Sequence, residues 1–293
     1  MTVPVFMPVY KDISRSGVQE YRQDSNFTFF VQENDAQKDW YLKNCKNTVL
    51  LNPISLCQKR KQMVEYARAN NIYRFFMIDD DLTKYGDCKN NNITLSEILS
   101  ILTREFAKTD YPLIGAEDNA CTKGDRADSI YRLWWVYGFY YFNLNTFPSD
   151  INFPDVALSD DIHICLSLLE RGLTPRVIRN YYKIFSTSSE LSVLRNDSPA
   201  IKYMFPIRLY KDFGDIVYFE PSEDATNYLS TNMRVTFSDI IANGGFKRVF
   251  NQDKLALINN LEKVKWTDMS LLKQLFKLFD QDDLLTLKHK ILQ

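Results

Sequence analysis

Tyr73–Leu82 reads YRFFMIDDDL, an apolar run interrupted only by Arg74 and ending on three consecutive aspartates. A run of this kind suits a central strand of a parallel sheet, covered on both faces. Ligands of open α/β sheets gather beyond the carboxyl ends of the strands, so Asp79, Asp80 and Asp81 fall where a ligand would be met. Three adjacent carboxylates repel one another, and each raises its neighbours' pKa unless a cation or strong donors stabilise the anions. Mg2+ or Mn2+ would relieve the conflict: such an ion takes oxygen ligands, usually one or two carboxylates, and completes its shell with water and phosphate. A solvated acidic turn is the alternative.

Toward the N-terminus, Val3–Val9 predicts a strand that runs into a polar loop over Tyr10–Ser16, Phe27–Gln32 a second strand and Thr48–Leu51 a third. Asp35–Asn44 predicts a helix between the last two. Ser55–Asn70 predicts a longer one, with Ser55 as N-cap and Leu56, Met63, Val64 and Ala67 on one face. Arg60 sits at the centre of that apolar stripe, where a cation is costly unless paired. Its partner is then an anion, either the aspartates or a bound diphosphate, unless the side chain snorkels to the surface. Lys59 and Lys61 are expected to be solvated.

Toward the C-terminus, periodicity predicts a helix over Thr94–Lys108, a strand over Tyr111–Gly115 and a long aromatic strand-like segment over Arg132–Asn143. A helix over Asp160–Arg171, closed by Gly172, and an extended stretch over Thr174–Ile184 follow. Alternation of this kind is that of an α/β fold with a Rossmann-like, largely parallel sheet flanked by helices, here over 1–190. Residues 191–293 form an extension, with short strands within Ile207–Tyr218 and mostly helix over Phe237–Leu292.

A second acidic pair, Asp160 and Asp161, opens the helix at 160. Capping and the helix dipole favour acids there; the functional alternative is a general base acting on an acceptor hydroxyl. His163 reads as a satisfied, partly buried histidine. In the aromatic segment, Trp135 or Tyr137 could stack on a sugar or a flipped base, with Lys123, Arg126 and Arg132 on the phosphates of a nucleic-acid acceptor. The other reading makes the aromatics core and the charges a solvated loop.

Composition narrows the classes. The 293 residues carry a net charge of −1, so no global basic field points to nucleic acid or an anionic membrane. Five cysteines, odd in number and widely spread, and two histidines without metal-ligand spacing fit a reduced, intracellular protein. No apolar stretch approaches a membrane span. A cytoplasmic protein without a membrane partner is expected.

The combination of PVYKDISR (8–15), the helix around Arg60, FFMIDDDL (75–82) and SDDIHICLSLLERG (159–172) resembles the GT-A glycosyltransferases. Within them it looks most like a phage branch, the DNA-base glycosyltransferases that accompany base-oxidising dioxygenases and are relatives of the base J-associated glucosyltransferase. The resemblance covers about residues 3–190. It implies that Asp79 and Asp81 are the outer acids of the DxD motif, one on the donor ribose and the last on a Mn2+ or Mg2+ ion, with Asp80 and Arg60 also on the donor side. Pro8, Val9 and Tyr10 would pack around the donor's base, and Glu33 would read the base or ribose. Asp161, with Asp160, would supply the catalytic base. The donor would be a UDP-sugar and the acceptor a 5-hydroxymethyl pyrimidine in phage DNA, modified in the host cytoplasm.

One departure stands out. Many of these enzymes place a metal-binding histidine beyond the second acidic motif, and Arg176–Ser188 contains none. Asn180, Ser186 or water would take its place. A glycosyltransferase acting on polysaccharide or protein, and a non-catalytic sugar-nucleotide-binding module, are the competing readings. A nucleotidyltransferase ranks below them, because Lys11–Gly17 holds one glycine and no glycine-rich triphosphate loop.

Overall fold

The structure, a computed structural model, describes residues 3–9, 13–52, 55–87, 92–118, 131–133, 135–151, 153, 160–185, 209–220, 230–233, 243–253 and 255–256. The chain divides into two compact units, Met1–Ser188 and Ser189–Gln293.

In the first unit the strands are β1 (Val5–Pro8), β2 (Phe27–Gln32), β3 (Thr48–Leu51), β4 (Arg74–Ile78), β5 (Leu82–Asp87), β6 (Leu113–Asp118), β7 (Tyr131–Leu133), β8 (Phe139–Asn143) and β9 (Arg176–Phe185). Between them lie α1 (Ser16–Tyr21), α2 (Lys38–Asn44), α3 (Leu56–Ala69), α4 (Leu95–Phe106) and α5 (Asp160–Glu170). These strands join in one sheet of order β3-β2-β1-β4-β8-β6-β9-β5, with β7 also on β9. The β3-β2-β1-β4 half is parallel. Beyond it β8 runs antiparallel to both β4 and β6, and β9 returns parallel to β6. Two antiparallel steps leave β6 pointing the same way as β4, so both deliver their carboxyl ends to one edge of the sheet.

The sheet separates two apolar layers, as its alternating side chains require. Val5, Met7, Phe76 and Ile78 pack with Val18 of α1, Tyr41 of α2 and the Leu95, Ile98, Leu102 and Phe106 face of α4. Phe6, Phe30, Phe75 and Met77 pack on the opposite side with Cys57, Met63, Val64 and Ala67 of α3 and Ile164, Cys165 and Leu168 of α5. The fold is therefore a mixed α/β sheet flanked by helices on both faces.

The helix ends follow from sequence. The Ser55 hydroxyl accepts from the Gln58 N–H at 3.4 Å at the start of α3. At its other end Asn71 adopts φ +58°, the left-handed residue that lets the Ile72 N–H return to the Ala67 carbonyl at 2.8 Å. Thr94 and Glu97 form a reciprocal capping box on α4. Gly172, at φ +70°, ends α5.

One expectation changes, and two elements add to the pattern. Arg132–Asn143 is not one strand: β7 and β8 are separate, and the chain turns sharply between them. The Phe139 N–H donates to the Tyr137 carbonyl at 2.7 Å around Gly138 at φ +67°, which makes a γ-turn. α1 follows the loop expected over Tyr10–Ser16, and the residues after the aspartates form β5, paired antiparallel with β9. β5 lies close enough to β9 that a Cβ on Gly86 would stand 2.2 Å from the Tyr182 ring.

In the second unit, Gly214–Ile216 forms a 3-10 turn that leads into β10 (Val217–Glu220), paired antiparallel with β11 (Ser230–Met233). The Tyr210 hydroxyl accepts from the Asn251 N–H at 3.0 Å. The helix expected over Phe237–Leu292 lies largely outside the described residues. Among those described, no helix is long and apolar enough to cross a membrane.

Candidate active site

The acidic run leaves the sheet at the end of β4, where the Asp79 N–H donates to the Gly138 carbonyl at 2.9 Å. That bond continues the β4–β8 ladder by one residue and turns the three carboxylates beyond the sheet edge. α3 crosses beneath this edge with two consecutive cations, and α5 begins beside it with two consecutive acids.

Arg60 is 3% exposed, and its guanidinium joins the two acidic motifs. One terminal nitrogen donates to both Asp79 oxygens, at 2.8 and 2.9 Å, and the other donates to Asp160 Oδ2. Its charged carbon lies 4.8 Å from the centre of the Tyr140 ring. Burial opposes the charge, but Asp160 and Asp79 outweigh it and hold the guanidinium protonated. The cation inside the apolar stripe is thus paired, and with the aspartates.

Asp80 is buried and paired with Arg15, at the start of α1. Burial lifts its carboxyl to about 7 against the opposing pull of Arg15. Gly17 brings α1 close: a Cβ there would meet the Asp80 carbonyl at 3.2 Å. Sequence reading missed Arg15, because nothing local to the DISR segment (12–15) tells which acid a loop arginine meets across the sheet edge.

Lys59 corrects an expectation. It is 1% exposed, not solvated, and its Nζ donates to the Val9 carbonyl at 2.6 Å, beyond the end of β1. Burial pushes its pKa down to about 8, opposed by the fields of Asp80 and Asp35. One turn of α3 therefore serves two strand ends, Lys59 that of β1 and Arg60 that of β4. Lys61 is exposed and pairs with Glu65 on the same helix, at 3.7 Å.

Of the five carboxylates, Asp79, Asp80 and Asp160 each contact an arginine. Asp81 and Asp161 make no ion pair among the described residues. Burial, then the Asp79 charge, lifts Asp81 to about 6. Burial, then Asp160, lifts Asp161 to the same range. Among the described residues, Asp81 Oδ1 is buried without a hydrogen-bond partner, while Asp161 Oδ1 accepts the adjacent Ile162 N–H, at 2.9 Å. Each motif thus keeps one carboxylate without an ion pair among the described residues.

These features suit a dication. Among the described residues no group of three or more His, Cys, Asp or Glu is arranged to hold a metal. Mg2+ and Mn2+ do not need one, since phosphate and water complete their shells around one or two carboxylates. The orphaned Asp81 oxygen is a hard donor, and Asp79 stands beside it.

The remaining sequence candidates divide. Pro8 and Val9 are buried at the end of β1. The Ile13 N–H donates to Gln37 Oε1 at 3.1 Å, which ties the loop after β1 to the β2–α2 turn. Glu33 is exposed beyond β2, and its N–H donates to the Leu51 carbonyl at 2.8 Å. Asp35, whose field reaches Lys59 and Tyr41, lies nearer the centre. Trp135 packs on the α3–α5 core, and Tyr137 sits half-buried in the γ-turn next to Asp79. His163 is fully buried on α5. Asn180 is exposed on β9. Tyr10, Lys123, Arg126, Ser186, His289 and the Arg132 side chain lie outside the described residues.

No protein-family model matches the chain, and no curated protein matches it. Among solved structures it is similar to a candidate nucleotide-diphospho-sugar transferase from Desulfovibrio desulfuricans, with 9% identity over 68% of this chain and 89% of that one and a TM-score of 0.40. A mannosyltransferase from Pyrobaculum calidifontis, in complex with GDP-Man and Mn2+, aligns at 12% identity over 72% of this chain and 61% of its own, with a TM-score of 0.42. A CMP:2-keto-3-deoxy-manno-octonic acid synthetase complexed with CTP aligns at 9% identity over 63% and 90%, with a TM-score of 0.39.

Proposed function

We propose that this chain is a metal-dependent glycosyltransferase that moves a sugar from a UDP-sugar to a hydroxyl acceptor, a 5-hydroxymethyl pyrimidine of DNA. The observation that carries the reading is the Arg60 bridge, which unites Asp79 and Asp160 in one site. A solvated turn and a merely capped helix would have no reason to share a buried guanidinium.

The two carboxylates without an ion pair among the described residues then take separate work. Asp81, with Asp79, would hold the metal, and a dication there supplies charge neutralisation for a departing diphosphate. Asp161 accepts the acceptor hydroxyl proton. The acceptor oxygen bonds the anomeric carbon as that carbon's bond to the diphosphate oxygen breaks, and UDP leaves. A pKa near 6 leaves Asp161 ionised at neutral pH and still basic enough to take a proton. Arg60 neutralises Asp160 and so assigns the base to its neighbour. Val9, held by Lys59, and the Ile13–Gln37 tie would form the wall against which the donor's base packs.

Incubation with a panel of nucleotide sugars and oligonucleotides bearing hydroxymethylated pyrimidines, followed by mass spectrometry, tests the reading. A hexose or pentose mass on the oligonucleotide is expected, and EDTA should prevent it. A polysaccharide or protein acceptor is the rival. Binding to duplex DNA would weaken with salt at a slope of about −0.9 per phosphate contact, whereas a neutral glycan would show almost none.

A further inference from the structure

A second buried lysine lies outside the chemistry described above. Lys183 of β9 is 1% exposed. Its Nζ donates to the Ala116 carbonyl at 3.0 Å and lies 4.2 Å from the centre of the Tyr137 ring. Ala116 is the β6 residue at which the β6–β9 register shifts, pairing with Ile178 while the next residue, Glu117, pairs with Tyr182. The amine is therefore anchored at the edge of the sheet where β4 delivers Asp79.

Tyr137 leads directly to that aspartate. Its carbonyl accepts the Phe139 N–H at 2.7 Å to close the γ-turn, and the Gly138 carbonyl within the turn accepts the Asp79 N–H at 2.9 Å. A cation–π contact out of water is strong enough to fix the ring at the entry to that turn.

We propose that Lys183 is a positioning residue for the acceptor side of the site: it holds the Tyr137 ring against the β6–β9 junction and, through the Gly138 turn, sets the backbone at Asp79. The proposal rests on the reading of Tyr137 as an acceptor contact. Lys183→Met keeps the apolar stem and removes the charge, while Lys183→Arg keeps a cation that can face the ring.

Two measurements test it. The first is amide hydrogen exchange at Asp79 and Phe139, which needs no turnover. Lys183→Met should speed exchange at both by about tenfold, the scale of one desolvated cation–π contact. Lys183→Arg should restore most of the protection, and Lys84→Met, at an exposed lysine of β5, should change neither amide. Unchanged protection at Asp79 and Phe139 in Lys183→Met overturns the proposal. The second is a double-mutant cycle on transfer. Lys183→Met should raise acceptor KM more than donor KM, and should add nothing once Tyr137→Leu is present. Additive losses, or equal losses for both substrates, would also overturn it. Wild-type protein that fails to bind UDP with Mn2+ while the exchange result holds would count against the glycosyltransferase reading alone.

Discussion

Asp79 and Asp160 accept hydrogen bonds from the same guanidinium, although one ends a central strand and the other begins a helix on the far side of the aromatic segment. Arg60 is therefore the joint between two motifs, and together with Arg15 on Asp80 it leaves Asp81 and Asp161 as the acids without an ion pair among the described residues.

Removing that joint should be costly. Arg60→Met leaves Asp79 and Asp160 without their cation, Asp160 in a nearly closed environment. Loss of one member of a buried ionic cluster destabilises by about 3–5 kcal/mol. Urea denaturation should show a shift of this size in unfolding free energy. Arg60→Lys should recover little of it, because an ammonium cannot serve both acids in the planar fork geometry.

Asp81→Asn should separate metal binding from folding. Its Oδ1 has no partner to lose, so unfolding without metal should stay close to wild type or shift toward stability. Wild-type protein with Mn2+ at a hundred times its dissociation constant should gain about 2.7 kcal/mol. The variant should gain almost nothing, as read by melting with and without metal, and transfer should be lost.

The acidic pair at 160–161 should divide its labour in kinetics. Asp161→Asn removes the proposed base and should lower kcat by about 100- to 10,000-fold with donor KM little changed. Asp160→Asn instead loosens Arg60, and should lower stability as well as turnover. Equal kinetic and thermal behaviour of the two variants would contradict the assignment.

Stability in the absence of metal should rise as pH falls from 8 toward 5.5. Asp80, Asp81 and Asp161 have folded-state pKa values of about 7, 6 and 6, each raised by burial above the ordinary carboxylate value. The folded state binds protons that the unfolded chain has already released, so these groups favour folding at low pH. Their contribution disappears as pH climbs through 6 to 7. Melting temperatures across that range should fall with pH without metal, and saturating Mn2+ should flatten the slope.

The sequence carried the site's anatomy where local pattern suffices. The apolar strand before Asp79, the stripe around Arg60, the capping box at Thr94 and the glycine after α5 each announce themselves within a few residues. Partners across the sheet do not. Burial of Lys59 depends on where β1 ends, the Arg15–Asp80 pair on the return of α1 over the sheet edge, and β5 on a strand that begins almost a hundred residues later. The break between β7 and β8 hides inside a continuous aromatic run, because Gly138 alone marks it and one glycine in a strand also fits a bulge.

Gly86 and Tyr182 interlock where β5 crosses β9. Any side chain at 86 must displace an aromatic ring, so substitution there is tolerable only when position 182 shrinks in compensation. Homologous chains should accordingly swap these two residues as a pair, and a protein engineer recombining fragments of this sheet should take both strands from the same parent.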